Sequence, residues 1–305
     1  MASVGFVGLG AMGGRLAARL LAAGHQVHGH NRSKAKAAEL IASGLIWHQT
    51  PREVASAADL TISMVSDDAA LDQISSGPDG MLAGLAFGKV YVDMSTVSPE
   101  ASVQLAERVS ELGAEMLDAP VSGSVPQAET GTLTIMVGGA PGAFAVAEPI
   151  LALLGSKVVH VGGNGKGLLL KLAINISLAA QIIAFSEGLV LAERGGIDTK
   201  LAADVMAESP IGSPMLKARV PLILDLPEQA WFDVALLHKD VRLAVKAAQR
   251  SQTLVPSAQV ADAILGTAGL LGYGHRDIAV VHRVLARHGP EAAALLERRG
   301  QAVDV

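Results

Sequence analysis

The chain changes its hydrophobic period once, and that change limits the folds open to it. As far as residue 160, short apolar runs alternate with amphipathic stretches. Ser3–Gly8, Gln26–His30, Leu60–Val65, Val90–Met94, Glu115–Asp118, Leu133–Val137 and Val158–His160 read as strands. Between them, Ala11–Ala23, Lys34–Ala42, Pro99–Leu112 and Gly142–Leu154 read as helices. Such alternation implies right-handed crossovers and a mainly parallel sheet, and the closer spacing of the last strands predicts a mixed edge. After Gly162-Gly163-Asn164-Gly165 the strand signal stops. Gly167 to Arg194 reads as one helix of about 28 residues, roughly 42 Å long. It is apolar nearly all round, so both sides need cover from two domains or another subunit. Gly195-Gly196 ends it, and helical patterns follow at Thr199–Glu208, Ser213–Leu224, Asp233–Ser251, Ala258–Leu271 and Ile278–Arg287. The boundary falls near residue 163.

Composition narrows the function classes. Hydrophobic residues make up 50% and charged residues 17% of 305, enough to bury a large core. A net charge of −5 argues against a general nucleic-acid binder. With no cysteine, disulfides, thiolate metal sites and cysteine nucleophiles are excluded. His25, His28, His30 and His48 show no metal-ligand spacing, so no metal is expected. Lys171, Asn175, Gln181 and Glu187 interrupt the apolar stretch Leu168–Ala192, a load that a membrane span should not carry. The amino terminus has no basic n-region. A cytoplasmic, soluble protein is expected, with no membrane partner.

Gly8-Leu9-Gly10-Ala11-Met12-Gly13 stands where the first strand meets the first helix. Gly8 permits the turn, Gly10 lets backbone approach a pyrophosphate, and Gly13 lets helix and strand pack closely. The helix start supplies N–H groups and the positive end of its dipole. This places a dinucleotide in a Rossmann-type domain. At the end of the second strand, Asn31-Arg32 stands where an NAD-preferring site would carry an acid, and Lys34 and Lys36 follow. A guanidinium pairs with the 2′-phosphate of NADP, so NADP(H) is preferred over NAD(H). A merely solvated basic helix start would give the same pattern. Met64-Val65 and Ser95-Thr96 fall at the carboxyl ends of two further strands, where open α/β sheets bind ligands. Ser98 before Pro99 makes the better helix cap, which leaves Ser95 and Thr96 for the cofactor.

Lys171 lies within the first two turns of the long helix, with Asn175 one turn further on. No Asp or Glu stands within a helical turn of it in the sequence. A buried lysine so placed can be tuned for proton transfer, or it can snorkel to water.

Together these segments resemble the β-hydroxyacid dehydrogenases, the family of 3-hydroxyisobutyrate dehydrogenase, tartronate semialdehyde reductase and glyoxylate/succinic semialdehyde reductase. The resemblance covers almost the whole chain. It rests on the glycine loop, Asn31-Arg32, Asp93 to Pro99, Asp118-Ala119-Pro120-Val121-Ser122-Gly123-Ser124 and Gly131-Thr132-Leu133. It continues through Gly165 to Lys171 with Asn175, Phe232 through Lys239-Asp240, and Gly274 with Asp277.

The resemblance implies an α/β fold. A Rossmann-type, mainly parallel NADP-binding domain (1–162) is followed by an all-α domain (163–305) for substrate binding and oligomerisation, joined by the long helix. It makes Lys171 the general acid/base of hydride transfer on a small β-hydroxy acid or semialdehyde. Ser122, Gly123, Ser124 and Asn175 would hold a small carboxylate-bearing substrate. Lys239 would reach toward the cofactor when the cleft closes, with Asp240 orienting that region. A homodimer or homotetramer is expected. Two positions depart from the usual pattern. Ser124 replaces a glycine, and Ile174 stands where many members carry Asn, a spacing closer to the glyoxylate/succinic semialdehyde reductase branch. Imine reductases share the fold but generally place Asp or Tyr at the position of Lys171. A non-catalytic NADP-binding module tends to lose that lysine altogether.

Overall fold

The computed structural model describes residues 2–287; the last 18 residues of the expected second domain lie outside the described residues. The chain forms two compact units, the first ending at Lys171 and the second beginning at Leu172, so the division falls inside the long helix.

In the first unit, β1 (Ser3–Val7), β2 (Gln26–His30), β3 (Ile46–Trp47), β4 (Leu60–Ser63), β5 (Val90–Asp93) and β6 (Glu115–Asp118) form a parallel sheet in the order 3-2-1-4-5-6. The order reverses between β1 and β4, which opens a crevice at their carboxyl ends. The mixed edge follows. β7 (Val121–Ser122) and β8 (Leu133–Gly138) run antiparallel, and β9 (Gly155–Gly162) returns parallel to β8. Strands β4 and β5 are buried along their whole length, as a sheet covered on both faces requires.

Helices α1 (Gly13–Ala22), α2 (Ala38–Ala42), α3 (Pro51–Ala57), α4 (Asp68–Ser75), α5 (Pro99–Glu111), α6 (Val125–Thr130) and α7 (Pro141–Leu151) belong to this unit. Leu16, Ala17 and Leu20 of α1 join Phe6, Val27 and Ile62 in one apolar core. Tyr91, Leu105 and Leu168 belong to another. The predicted helix Lys34–Ala42 is divided, its first four residues forming a tighter 3-10 turn before α2. β3, β7, α3, α4 and α6 have no counterpart in the sequence pattern; the two strands hold two residues each, too few for a period to show.

Helix α8 (Lys166–Arg194) runs 29 residues. It is long and apolar enough to cross a membrane by length and composition alone. Its Ala179, Ile182, Ile183, Phe185 and Leu189 are nevertheless buried in the core of the second unit. Around them lie α9 (Thr199–Glu208), α10 (Pro214–Leu224), α11 (Val234–Arg250) and α12 (Pro256–Ala268). The expected helix Ala258–Leu271 ends early because a wide turn at Gly269–Tyr273 contains Gly272 at φ +85°. Buried Asp277 ties this unit together. It pairs with Arg219 at 2.5 Å and accepts the backbone N–H groups of Trp231, Phe232 and Ala279.

Candidate active site

The glycine loop is built by close contact. Gly8 has φ +95°, and a Cβ there would strike the Met64 carbonyl oxygen. A Cβ on Gly13 would strike the carbonyl oxygen of Gly8 itself. At Gly10 a Cβ would meet nothing within 4 Å, so that backbone faces open space, with Ala11 beside it exposed. Met12 stands at the N-cap of α1 and supplies no capping side chain. An open backbone at an uncapped helix start is a cradle for a pyrophosphate.

Asn31 is spent on this loop. Its Oδ1 accepts the N–H of buried Leu9 at 3.1 Å and its Nδ2 donates to the Ser33 carbonyl at 3.0 Å. Arg32 is exposed just beyond β2. The neighbouring Lys34 ammonium lies over the Trp47 ring, 5.6 Å from its centroid.

The ends of β4 and β5 are joined by side chains. Asp93 Oδ1 accepts from Ser63 Oγ at 2.7 Å and from Ser95 Oγ at 2.6 Å. Ser63 gives its only proton to Asp93, so Tyr91, 2.6 Å away, is the donor in that contact. Burial pushes the Tyr91 hydroxyl well above its usual range, and nearby Asp93 pushes the same way, which keeps it protonated. Ser95 Oγ also accepts the Val65 N–H at 2.8 Å. The Ser95 hydroxyl is therefore buried and engaged, not left for a ligand as the sequence suggested, whereas Met64, Val65 and Thr96 are half-buried. Ser98 is indeed the cap of α5, accepting from Ala101 N at 3.2 Å.

Beyond β7, Gly123 is exposed at φ +128° and Ser122 is half-buried. Ser124 is the N-cap of α6 in a capping box with Gln127, and its backbone N–H donates to Gln127 Oε1 at 2.9 Å. The serine in place of glycine thus has a local structural role, which the Ser-x-x-Gln spacing signals.

Lys171 is only 9% exposed. The start of its helix is held by Asp118, at the end of β6. Oδ1 accepts from Gly165 N at 2.7 Å and Oδ2 from Leu168 N at 2.9 Å. Burial raises the Asp118 pKa to about 6; the two N–H donors lower it, and Asp93, its register partner on β5, adds a smaller push upward.

In the second unit, Asn175 and Asp240 are buried and joined by a bond of 2.6 Å from Asn175 Nδ2 to Asp240 Oδ2. A carboxylate only accepts, so the amide NH2 must face it. Asn175 Oδ1 is buried without a hydrogen-bond partner among the described residues. Lys239 Nζ lies 3.1 Å from Asp240 Oδ1, so the cofactor contact expected of Lys239 starts from an ion pair. The bonds to Asp118 from Gly165 and Leu168, and to Asp240 from Asn175, join residues 47 to 65 positions apart, so nothing local in the sequence signals them. No group of three or more His, Asp or Glu residues that could hold a metal occurs among the described residues.

A sheet of this order, with an open glycine cradle at its switch point, defines a dinucleotide-binding domain. Residues 3–162 match the NAD-binding domain of 6-phosphogluconate dehydrogenase, and residues 165–285 match the NAD-binding domain of NADP-dependent 3-hydroxyisobutyrate dehydrogenase. Escherichia coli 2-hydroxy-3-oxopropionate reductase is 34% identical, the match covering 92% of this chain and 96% of that protein. Glyoxylate/succinic semialdehyde reductase 2 of Arabidopsis thaliana is 31% identical, with 93% and 79% covered. The solved structure of Psf3 with NADP+ and 2-OPP superposes with a TM-score of 0.86 at 29% identity, covering 92% of this chain and 99% of that one. The chain belongs to the β-hydroxyacid dehydrogenase family and is an NAD(P)-dependent oxidoreductase.

Proposed function

We propose that this protein is an NADP(H)-preferring dehydrogenase of a small β-hydroxy acid or its semialdehyde, with Lys171 as general acid/base. Substrates of the 3-hydroxyisobutyrate, tartronate semialdehyde and glyoxylate/succinic semialdehyde type are its class. The observation that carries this reading is a lysine 9% exposed near the start of a helix tied to the sheet, in a chain of this family.

Gly8, Leu9, Gly10, Ala11, Met12 and Gly13 would hold the pyrophosphate through backbone N–H groups, with Arg32 at the 2′-phosphate. Met64, Val65 and Thr96 would line the cofactor from the strand ends, and Lys239 would reach it from α11. When bound, NADP(H) supplies or takes the hydride. Lys171, as ammonium, donates a proton to the carbonyl oxygen during reduction; neutral, it removes the hydroxyl proton during oxidation. The Ser122 hydroxyl and Gly123 N–H orient the carboxylate. Asn175 gives one N–H to Asp240, and its oxygen would accept from the substrate hydroxyl. We place the enzyme in the cytoplasm as a homodimer or homotetramer.

The test is NADPH consumption against glyoxylate, succinic semialdehyde, tartronate semialdehyde and methylmalonate semialdehyde, with simple imines as controls. Lys171→Ala should lower kcat by about 100- to 10,000-fold with NADPH affinity little changed. Turnover of imines alone, or full turnover by the alanine variant, would overturn the reading.

A further inference from the structure

We propose that Asp118 is a positioning residue for Lys171, fixing the helix that carries the lysine to the sheet; this rests on the acid/base reading of Lys171. Every helix begins with N–H groups that lack partners within the helix. At α8 the local sequence offers little, since Gly163 and Gly165 have no side chain and the Asn164 amide NH2 is donated to the Met116 carbonyl at 2.8 Å. Asp118 reaches in from β6 instead and takes Gly165 N and Leu168 N, one on each oxygen.

A local cap, such as a serine at the helix start, would satisfy those N–H groups but move with the helix. A cap rooted in the sheet does more. Two charge-assisted bonds on separate oxygens oppose both rotation of the helix about its axis and sliding along it. Leu168, which makes the second bond, lies three residues before Lys171 and on the same face of the helix. Both belong to the first unit. The stem of the lysine therefore starts one turn from a bond to the sheet.

The surroundings are shaped for this carboxylate. A Cβ on Gly138 would lie 2.5 Å from Asp118 Oδ1, and one on Gly167 would lie 2.8 Å from Oδ2. Asp118 is fully buried beside Asp93, its register partner, which opposes stability rather than adding to it. A helix cap alone gives no reason to place two carboxylates side by side in a core.

The test is a double-mutant cycle in single-turnover reduction, using Asp118→Asn, Lys171→Ala and the double variant. Asparagine keeps the volume but presents an NH2 to one of the two N–H groups. Asp118→Asn should lower the rate by about 10- to 100-fold, leaving KM and the NADPH Kd within about threefold. In the Lys171→Ala background it should cost nothing further, because the group it positions is gone. Equal losses in both backgrounds, or no loss in the wild-type background, would overturn the proposal while leaving Lys171 as acid/base. Undiminished turnover by Lys171→Ala would instead remove the reading on which it rests. Should the asparagine variant fail to bind NADPH, Asp118→Ser is put through the same cycle and judged by the same outcomes.

Discussion

Two helices that begin in the first unit face the same difficulty at their starts and resolve it in opposite ways. Helix α1 leaves the carboxyl end of β1 with no capping side chain and with Gly10 facing open space. Helix α8 begins with its N–H groups filled by Asp118. The neighbours sharpen the contrast, since α4 is capped by Asp67 and α5 by Ser98. A helix start left open beside a glycine turn can receive an anion. One closed by a buried carboxylate rejects an anion and anchors whatever the helix carries. The same dipole serves binding in one place and attachment in the other.

The largest effect should come from closing the open end. Gly10→Asp puts an anion at the start of α1 where nothing obstructs it. NADPH affinity should fall by tenfold or more, read by fluorescence titration, while the thermal midpoint stays within about 2 °C. Gly13→Val is its counterpart, because it drives a side chain into the Gly8 carbonyl and should destabilise the fold by about 2 kcal/mol or more. If both variants lost only affinity, or both only stability, the contrast would fail.

A smaller effect tests what the open end receives. Arg32→Asp should reverse the preference from NADPH to NADH, lowering the ratio of affinities by about tenfold or more. A ratio unmoved by that change would remove Arg32 from the 2′-phosphate.

The smallest effect concerns the closed end. The Asp118 pKa is raised, so the folded state holds this proton more tightly than the unfolded chain. Its contribution to stability therefore grows as pH falls through about 6 and levels off below the unfolded value of 3.8. Between pH 7 and 5 the wild type should gain about 1 kcal/mol relative to Asp118→Asn in urea denaturation. A gap between the two that ignores pH would show that the carboxyl does not titrate there.

Much of this was legible in the sequence because it is periodic or local. The buried strands β1, β4 and β5 announce themselves as apolar runs, α8 as an unbroken helical stretch, and the Ser98-Pro99 cap by adjacent residues. Reach in space has no such signature. Nothing near Asn31 reveals that its amide closes on Leu9, and nothing near Ser95 reveals that its hydroxyl is taken by Val65 and Asp93. The bonds of Asp118 to Gly165 and Leu168 have no local signature for the same reason. The sequence names candidate ligand contacts, whereas the bonds that hold those segments still come from the folded structure.

The brace running from Tyr91 through Ser63 and Asp93 to Ser95 and the Val65 N–H bears on when disorder is given up. Main-chain pairing between β4 and β5 ends at Ser63 and Asp93, and side chains carry the connection one step further, into the segments that follow. Those segments are immobilised when the chain folds, before any ligand arrives. Ordering a side chain at an interface takes roughly 0.5–1.5 kcal/mol from the affinity when binding itself must do it. For the cofactor contacts proposed at these strand ends, that entropy is surrendered in advance, so more of each contact would survive as affinity.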